Sequence, residues 1–222
     1  MEKNQAIKGI LFDLDGTLID TAPDFILSLN NILTKHNHAE LDSSIIRSHV
    51  SDGSGKLISL GFGINEEDLN FNALRSEFLL EYEKNLLVNS NLFDGITSCL
   101  QFLETKGIKY GIVTNKPRRY AEPLIEYFEA LNGSEVLICS DDLPAGKPNP
   151  IGIETALKKL NISNSECIYI GDHLVDLQAG KGAGTEIIAC YFGYSLLKEN
   201  NPYDCNAVDS PYELNELFKR IL

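Results

Sequence analysis

No basic stripe runs along this chain. Its 19 lysines and arginines stand against 32 aspartates and glutamates, a formal net charge of −13. Nucleic acid is therefore excluded as a partner, because nothing collects the cations that a phosphate backbone needs. An acidic chain that handles an anionic substrate must gather its few cations locally, so single lysines and arginines matter more than patches. The five cysteines are an odd number and form no C-x-x-C pair, which argues against a disulfide framework and a zinc knuckle. No apolar run reaches the roughly 18 residues that a membrane span requires. The stretch Met1-Glu2-Lys3-Asn4-Gln5 lacks the apolar core of a secretion signal, so a cytoplasmic location is expected. Internal repeats and low-complexity tracts are also missing.

What is present is enough apolar material for a core. Of 222 residues, 43% are hydrophobic, which suits an α/β domain with a modest insert. Ile10-Leu11-Phe12 reads as a buried strand that stops at Asp13. From about residue 20 to 88 the apolar spacing is helical throughout. Phe25, Ile26, Leu29, Ile32 and Leu33 mark one helix, and Leu69, Leu74, Phe78, Leu79 and Tyr82 mark another. Beyond this insert, strands alternate with helices. The strands are expected at 108–113, 135–140, 167–170 and 187–190, with Val208 in a short edge strand. Such alternation implies right-handed crossovers and a doubly wound, Rossmann-like parallel sheet. The expected organisation is a core of residues 1–19 and 89–222 carrying a small helical domain over 20–88.

The strand ends carry the chemistry. The first strand ends in Asp13 and Asp15, which share one side of the chain because strand side chains repeat every two residues. Two adjacent carboxylates repel unless a cation sits between them. The next strand ends in Thr114 and Asn115, Lys147 follows the third, and Asp172 closes the fourth with Asp176 one helical turn on. In a parallel sheet these ends share one edge, where ligands bind. Hard carboxylate oxygens suit Mg²⁺, which also takes a substrate's phosphate. Thr114 can donate a hydrogen bond to a phosphoryl oxygen, and Lys147 supplies a point charge against developing negative charge. A carboxylate not consumed in neutralising charge could attack phosphorus and form an aspartyl phosphate.

Phe12-Asp13-Leu14-Asp15-Gly16-Thr17, Thr114-Asn115, Lys147-Pro148 and Gly171-Asp172-x-x-x-Asp176 resemble the four motifs of the haloacid dehalogenase superfamily, in that family's order. The stretches 13–24 and 141–150 are similar to the phosphoglycolate phosphatases within it. The resemblance implies Asp13 as nucleophile and metal ligand. It implies Asp15 as the acid that protonates the leaving alcohol, the base that then activates water, and a metal ligand through its carbonyl. Thr114, Asn115 and Lys147 would hold the phosphoryl group. Asp172 would bind Mg²⁺ and Asp176 would orient the metal shell. The helical insert resembles the small cap of this family, which closes over substrate. Within it, 47–56 is similar to the specificity loop of phosphoglycolate phosphatases, with Ser51 where a glycine is usual. Arg47 or Lys56 is expected to meet a substrate carboxylate.

The expected activity is Mg²⁺-dependent hydrolysis of a small phosphorylated metabolite, 2-phosphoglycolate first, by a monomer or homodimer. The alternatives are a phosphatase for a sugar phosphate or pyrophosphate, and a phosphomutase of the same superfamily. A non-enzymatic binding or regulatory protein stands last, because every catalytic position is filled.

Overall fold

The computed structural model describes residues 6–222. The strands are β1 (Gly9–Phe12), β2 (Ile19–Asp20), β3 (Asn91–Leu92), β4 (Lys109–Val113), β5 (Leu137–Ile138), β6 (Cys167–Gly171), β7 (Glu186–Cys190) and β8 (Asn206–Val208). The helices are α1 (Ala22–Lys35), α2 (Ser43–Arg47), α3 (Ser54–Phe62), α4 (Phe71–Asn85), α5 (Ile96–Thr105), α6 (Arg118–Tyr127), α7 (Ile151–Leu160), α8 (Leu174–Ala183) and α9 (Pro211–Ile221). The chain separates into two compact units, one of 1–19 with 92–222 and one of 20–91.

The first unit is built on a six-stranded sheet in the order β5-β4-β1-β6-β7-β8, parallel at every pairing. Its strands read as near-continuous apolar runs because both faces are covered. One face presents Leu11, Val113, Tyr169, Ile187 and Ala189 to the apolar sides of α7 and α8. The alternate residues Ile10, Phe12, Tyr110 and Ile112 are equally buried, and Phe12 meets Tyr110 edge to face at 6.4 Å. The edge strand β5 is shorter than the 135–140 run suggests. Past Ile138, the Cys139 N–H turns to the Asp142 carboxylate at 2.8 Å and starts a 3₁₀ turn, so pairing stops there.

The connections run outward from β1 in both directions, to β4 and β5 on one side and to β6, β7 and β8 on the other. β1 is therefore the topological switch point, and the crevice at its carboxyl end is where such sheets bind ligands. Phe12 pairs with both Ile112 and Ile170. One residue further on lie Asp13, Val113 and Gly171, and the next step brings Thr114 and Asp172. The register alone thus lines up the ends of three strands.

The second unit is helical. Leu29, Ile32 and Leu33 of α1 pack with Ile46 of α2, Leu57 and Ile58 of α3, and Phe71 and Phe78 of α4. Phe25 stacks on Tyr82 with ring centroids 4.0 Å apart. Asp24 sits in the first turn of α1 with no exposed surface. Its carboxylate accepts the Leu87 N–H at 3.0 Å, the Asn89 N–H at 2.7 Å and the Ser90 hydroxyl at 2.5 Å. These bonds hold a return turn in which Leu87 takes a left-handed conformation, φ 69°. Asp24→Ala would leave three donors unpaired, the buried Ser90 hydroxyl among them, and denaturant unfolding should show this unit weakened by about 1–3 kcal/mol. No helix among the described residues is long and apolar enough to cross a membrane.

Candidate active site

Asp13 is the first residue past β1 and is anchored there, its N–H donating to the Ile170 carbonyl at 2.9 Å. The chain then turns tightly: the Gly16 N–H donates to the Ile19 carbonyl, and the Leu18 and Ile19 N–H groups donate to Leu14. Gly16 adopts φ +85°, and a Cβ there would lie 2.3 Å from Asp172 Oδ2. Only glycine meets both demands. The turn delivers the Thr17 hydroxyl to Asp172 Oδ1 at 3.1 Å, while Oδ2 accepts the Tyr194 N–H at 2.8 Å. The loop before Tyr194 comes equally close, since a Cβ on Gly193 would lie 2.2 Å from the Asp172 Cβ.

Asp176, one turn into α8, is wholly buried. Its Oδ2 accepts the His173 N–H at 3.0 Å, and its Oδ1 lies 2.6 Å from Lys147 Nζ. His173 in turn caps α8, its Nδ1 accepting the Val175 N–H at 3.1 Å. Lys147 Nζ also donates to the Tyr169 hydroxyl at 3.0 Å and lies 2.6 Å from Asp13 Oδ1. The ammonium is the group the structure places against this buried oxygen of Asp13. Tyr169 donates onward to the Val113 carbonyl at 2.8 Å, which fixes the ammonium from below.

Carboxylate oxygens of Asp13, Asp172 and Asp176 lie within 4.8 Å of one another. Three buried carboxylates face one ammonium. The Asp13 carboxyl is raised to about 7: burial pushes it up, Lys147 pulls it down, and Asp176 and Asp15 add to the rise. Burial, then Asp176 and Asp13, holds Asp172 well above the usual carboxylate range. Burial works against the charged Lys147, but Asp13 and Asp176 outweigh it and raise its pKa well above the ordinary value. The cluster is short of positive charge. Its all-oxygen donors, gathered within 4.8 Å, fit a hard divalent cation of the Mg²⁺ type. Protons and such a cation compete for the same oxygens. Added Mg²⁺ should therefore raise the melting temperature much more at pH 8 than at pH 5, as scanning calorimetry would show.

The structure gathers Asp13, Lys147, Asp172 and Asp176 into one cluster, with Asp15 and Thr114 at the adjoining strand ends. The Thr114 hydroxyl accepts the Lys116 N–H at 3.1 Å, which aims its own proton elsewhere. Asn115, expected at the phosphoryl group, is engaged differently. Its amide donates to the Lys147 carbonyl at 2.9 Å and accepts the Lys147 N–H at 2.7 Å, so it clamps the lysine's backbone. In the helical unit, Arg47 Nη1 reaches both oxygens of Asp20 at 3.0 and 2.9 Å. Lys56 is exposed and makes no hydrogen bond or ion pair among the described residues. Sequence reasoning passed over Lys116. Its side chain is nearly wholly buried, and its Nζ lies 2.9 Å from Asp15 Oδ1. A lysine directly after Thr114-Asn115, in a chain so short of cations, was the signal that could have found it.

A family model described as haloacid dehalogenase-like hydrolase matches residues 10–190. The chain is 36% identical over 219 residues to an N-acetylmuramic acid 6-phosphate phosphatase of Pseudomonas putida, covering 97% of this chain and 98% of that protein. It is 32% identical over 219 residues to a phosphoglycolate phosphatase of Nitrosospira multiformis, covering 96% of each. Among solved structures, one from Haemophilus somnus described as a predicted phosphoglycolate phosphatase superposes with a TM-score of 0.84 at 22% identity, over 98% of this chain and 100% of that one; this likeness is one of fold. The chain belongs to the haloacid dehalogenase-like hydrolases. Within that family it is a phosphatase, a phosphoric monoester hydrolase.

Proposed function

We propose that the enzyme hydrolyses a primary phosphate ester of a small carboxylic acid through a phosphoaspartate on Asp13, with Mg²⁺ as its cation. One observation carries the mechanism: a buried carboxylate at the end of β1 lies beside those of Asp172 and Asp176 and 2.6 Å from the Lys147 ammonium. Asp13 and Asp172 would hold the Mg²⁺, with Asp176 behind them, and its charge would keep Asp13 ionised and favour the bound phosphate.

Asp13 attacks phosphorus with one carboxylate oxygen. The P–O bond to the alcohol breaks, its electron pair stays on the departing oxygen, and Asp15 gives that oxygen a proton. Asp15, now a carboxylate, takes a proton from water as the water attacks the phosphoaspartate. The Asp13–phosphorus bond breaks, inorganic phosphate leaves, and both side chains return to their starting forms. Thr114 donates its hydroxyl proton to a phosphoryl oxygen. Lys147 offsets charge on the transferring group, held in place by Tyr169, Asp176 and the Asn115 clamp.

The substrate class rests on what the relatives' names have in common. 2-Phosphoglycolate and N-acetylmuramic acid 6-phosphate differ in size, but each is a primary phosphate ester that also bears a carboxylate. The muramic acid compound has the support of the higher identity. Lys56 is the cation we assign to that carboxylate, because Arg47 is already paired with Asp20.

Phosphate release in the presence of Mg²⁺ tests this, with 2-phosphoglycolate, N-acetylmuramic acid 6-phosphate, N-acetylglucosamine 6-phosphate and pyrophosphate as substrates. The two carboxylated esters should lead, and Lys56→Ala should raise their KM by about tenfold, the worth of one modest ion pair. Equal turnover of N-acetylglucosamine 6-phosphate, which lacks the carboxylate, would remove the substrate claim and leave the chemistry standing.

A further inference from the structure

A second buried lysine stands at the strand ends, and the phosphoryl chemistry described so far does not use it. The Nζ of Lys116 grips one oxygen of Asp15 at 2.9 Å, with 3% of the lysine side chain and 16% of the aspartate side chain exposed. The two residues are separated by 101 positions and meet because β1 and β4 are neighbours. A buried ammonium is costly unless paired, so this contact is built rather than incidental. The backbone of the same residue holds the Thr114 hydroxyl, so the turn after β4 fixes two groups at once.

We propose that Lys116 is a positioning residue for the acid and base of the reaction. By occupying Oδ1 of Asp15, it makes the two carboxylate oxygens unequal. An oxygen that faces an ammonium is the poorer seat for a proton, so Oδ2 is the atom through which Asp15 passes a proton to the leaving alcohol. The P–O electron pair goes to that alcohol oxygen, the Oδ2 proton follows, and Asp15 is left as a carboxylate held by Lys116. The same fixed Oδ2 then receives the proton of the attacking water. Free rotation of the carboxylate would present the wrong oxygen for part of the time, and misplacement by about an ångström is enough to slow proton transfer severely. This inference rests on the assignment of Asp15 as acid and base.

The leaving group supplies the test. An alkyl alcohol needs a proton to depart, whereas p-nitrophenolate leaves without one. kcat/KM reports the steps up to loss of the leaving group, so it isolates Asp15's acid role. It is to be measured with Mg²⁺ for wild type, Lys116→Met, Lys116→Arg and Asp15→Asn. The substrates are p-nitrophenyl phosphate and the faster of 2-phosphoglycolate and N-acetylmuramic acid 6-phosphate. Lys116→Met should lose about 100-fold on the alkyl ester, within the range of general acid catalysis, and at least about tenfold less on the aryl ester. Lys116→Arg, which keeps a cation in reach of Oδ1, should recover part of the alkyl rate. A merely structural role for Lys116 would lower both substrates equally.

If Asp15→Asn discriminates between the esters and Lys116→Met does not, the inference is overturned and the assignment of Asp15 stands. If Asp15→Asn lowers both equally, the assignment itself fails and takes the inference with it. Should Lys116→Met melt below the assay temperature, Lys116→Gln, which retains a donor without the charge, yields the same ratio of alkyl to aryl rates and decides the question in the same way.

Discussion

Asp13→Asn abolishes turnover and at the same time makes the metal-free protein more stable at pH 8. An amide is too weak a nucleophile to attack phosphorus, so phosphate release should fall by about 10⁴-fold or more, and no phosphoenzyme should form. The stability gain follows from the charge balance. Burial has raised the Asp13 pKa from 3.8 to about 7. A carboxyl whose pKa is higher folded than unfolded holds its proton better in the native state. Its stabilising effect is present below the unfolded value and is lost as pH rises through the interval up to about 7. Asparagine mimics the protonated form at every pH. The variant should therefore melt above wild type at pH 8 in EDTA, and the gap should close as pH approaches 4. An inactive variant that melts lower at pH 8 would mean that the loss of activity came from damage to the fold.

Lys147→Met should do the reverse. The lysine is the one cation in contact with Asp13 and Asp176 among the described residues, and its pKa is raised well above the usual lysine value. Its charge stabilises the native state at all ordinary pH, below its unfolded pKa. Removing one member of a buried ion pair typically costs about 3–5 kcal/mol, because the remaining charges are left uncompensated. Here the remainder is three carboxylates, so denaturant unfolding at pH 7 should show a loss of that size. Mg²⁺ should restore a large part of it, since a divalent cation meets the same need. Acid should also shrink the deficit, because protonated carboxyls no longer need the ammonium. Phosphate release should still fall by about 10²–10³-fold, the usual effect of deleting one preorganised donor to transition-state charge. One substitution thus raises stability and its neighbour lowers it, which locates the imbalance in the cluster itself.

The sheet and the cluster were legible because both follow from periodic rules. Apolar runs that stop at Asp13, Thr114 and Asp172 mark strand ends, and a parallel sheet gathers such ends whatever lies between them. The register of β1 against β4 and β6 is what turns sequence positions into neighbours. Side-chain commitments were less legible. Asn115 looks like a phosphate ligand from its place beside Thr114, yet both ends of its amide are bound to the Lys147 backbone. Arg47 looks like a free cation in its loop, yet Asp20 lies 27 positions away and takes its charge. The polar partners of Lys116 and Tyr169 are likewise remote in sequence. Nothing local marks such pairs, since they depend on which strands become adjacent and how deeply each side chain is buried. β5 fell short for a related reason: Asp142 competes for the Cys139 N–H that a longer strand would have used.

Two glycines press on Asp172 from opposite ends of the sequence, Gly16 from the first turn and Gly193 from a loop near the last strands. Gly16 lies inside the first of the four motifs. Gly193 belongs to none of them, yet a methyl group at either position would collide with the same carboxylate. The tolerance of this protein to mutation is therefore not distributed as its motifs suggest. A lineage drifting under selection for activity loses freedom at Gly193 as well as at Gly16, and an engineer who varies the late loop to reshape the pocket would be editing the aspartate without touching its codon.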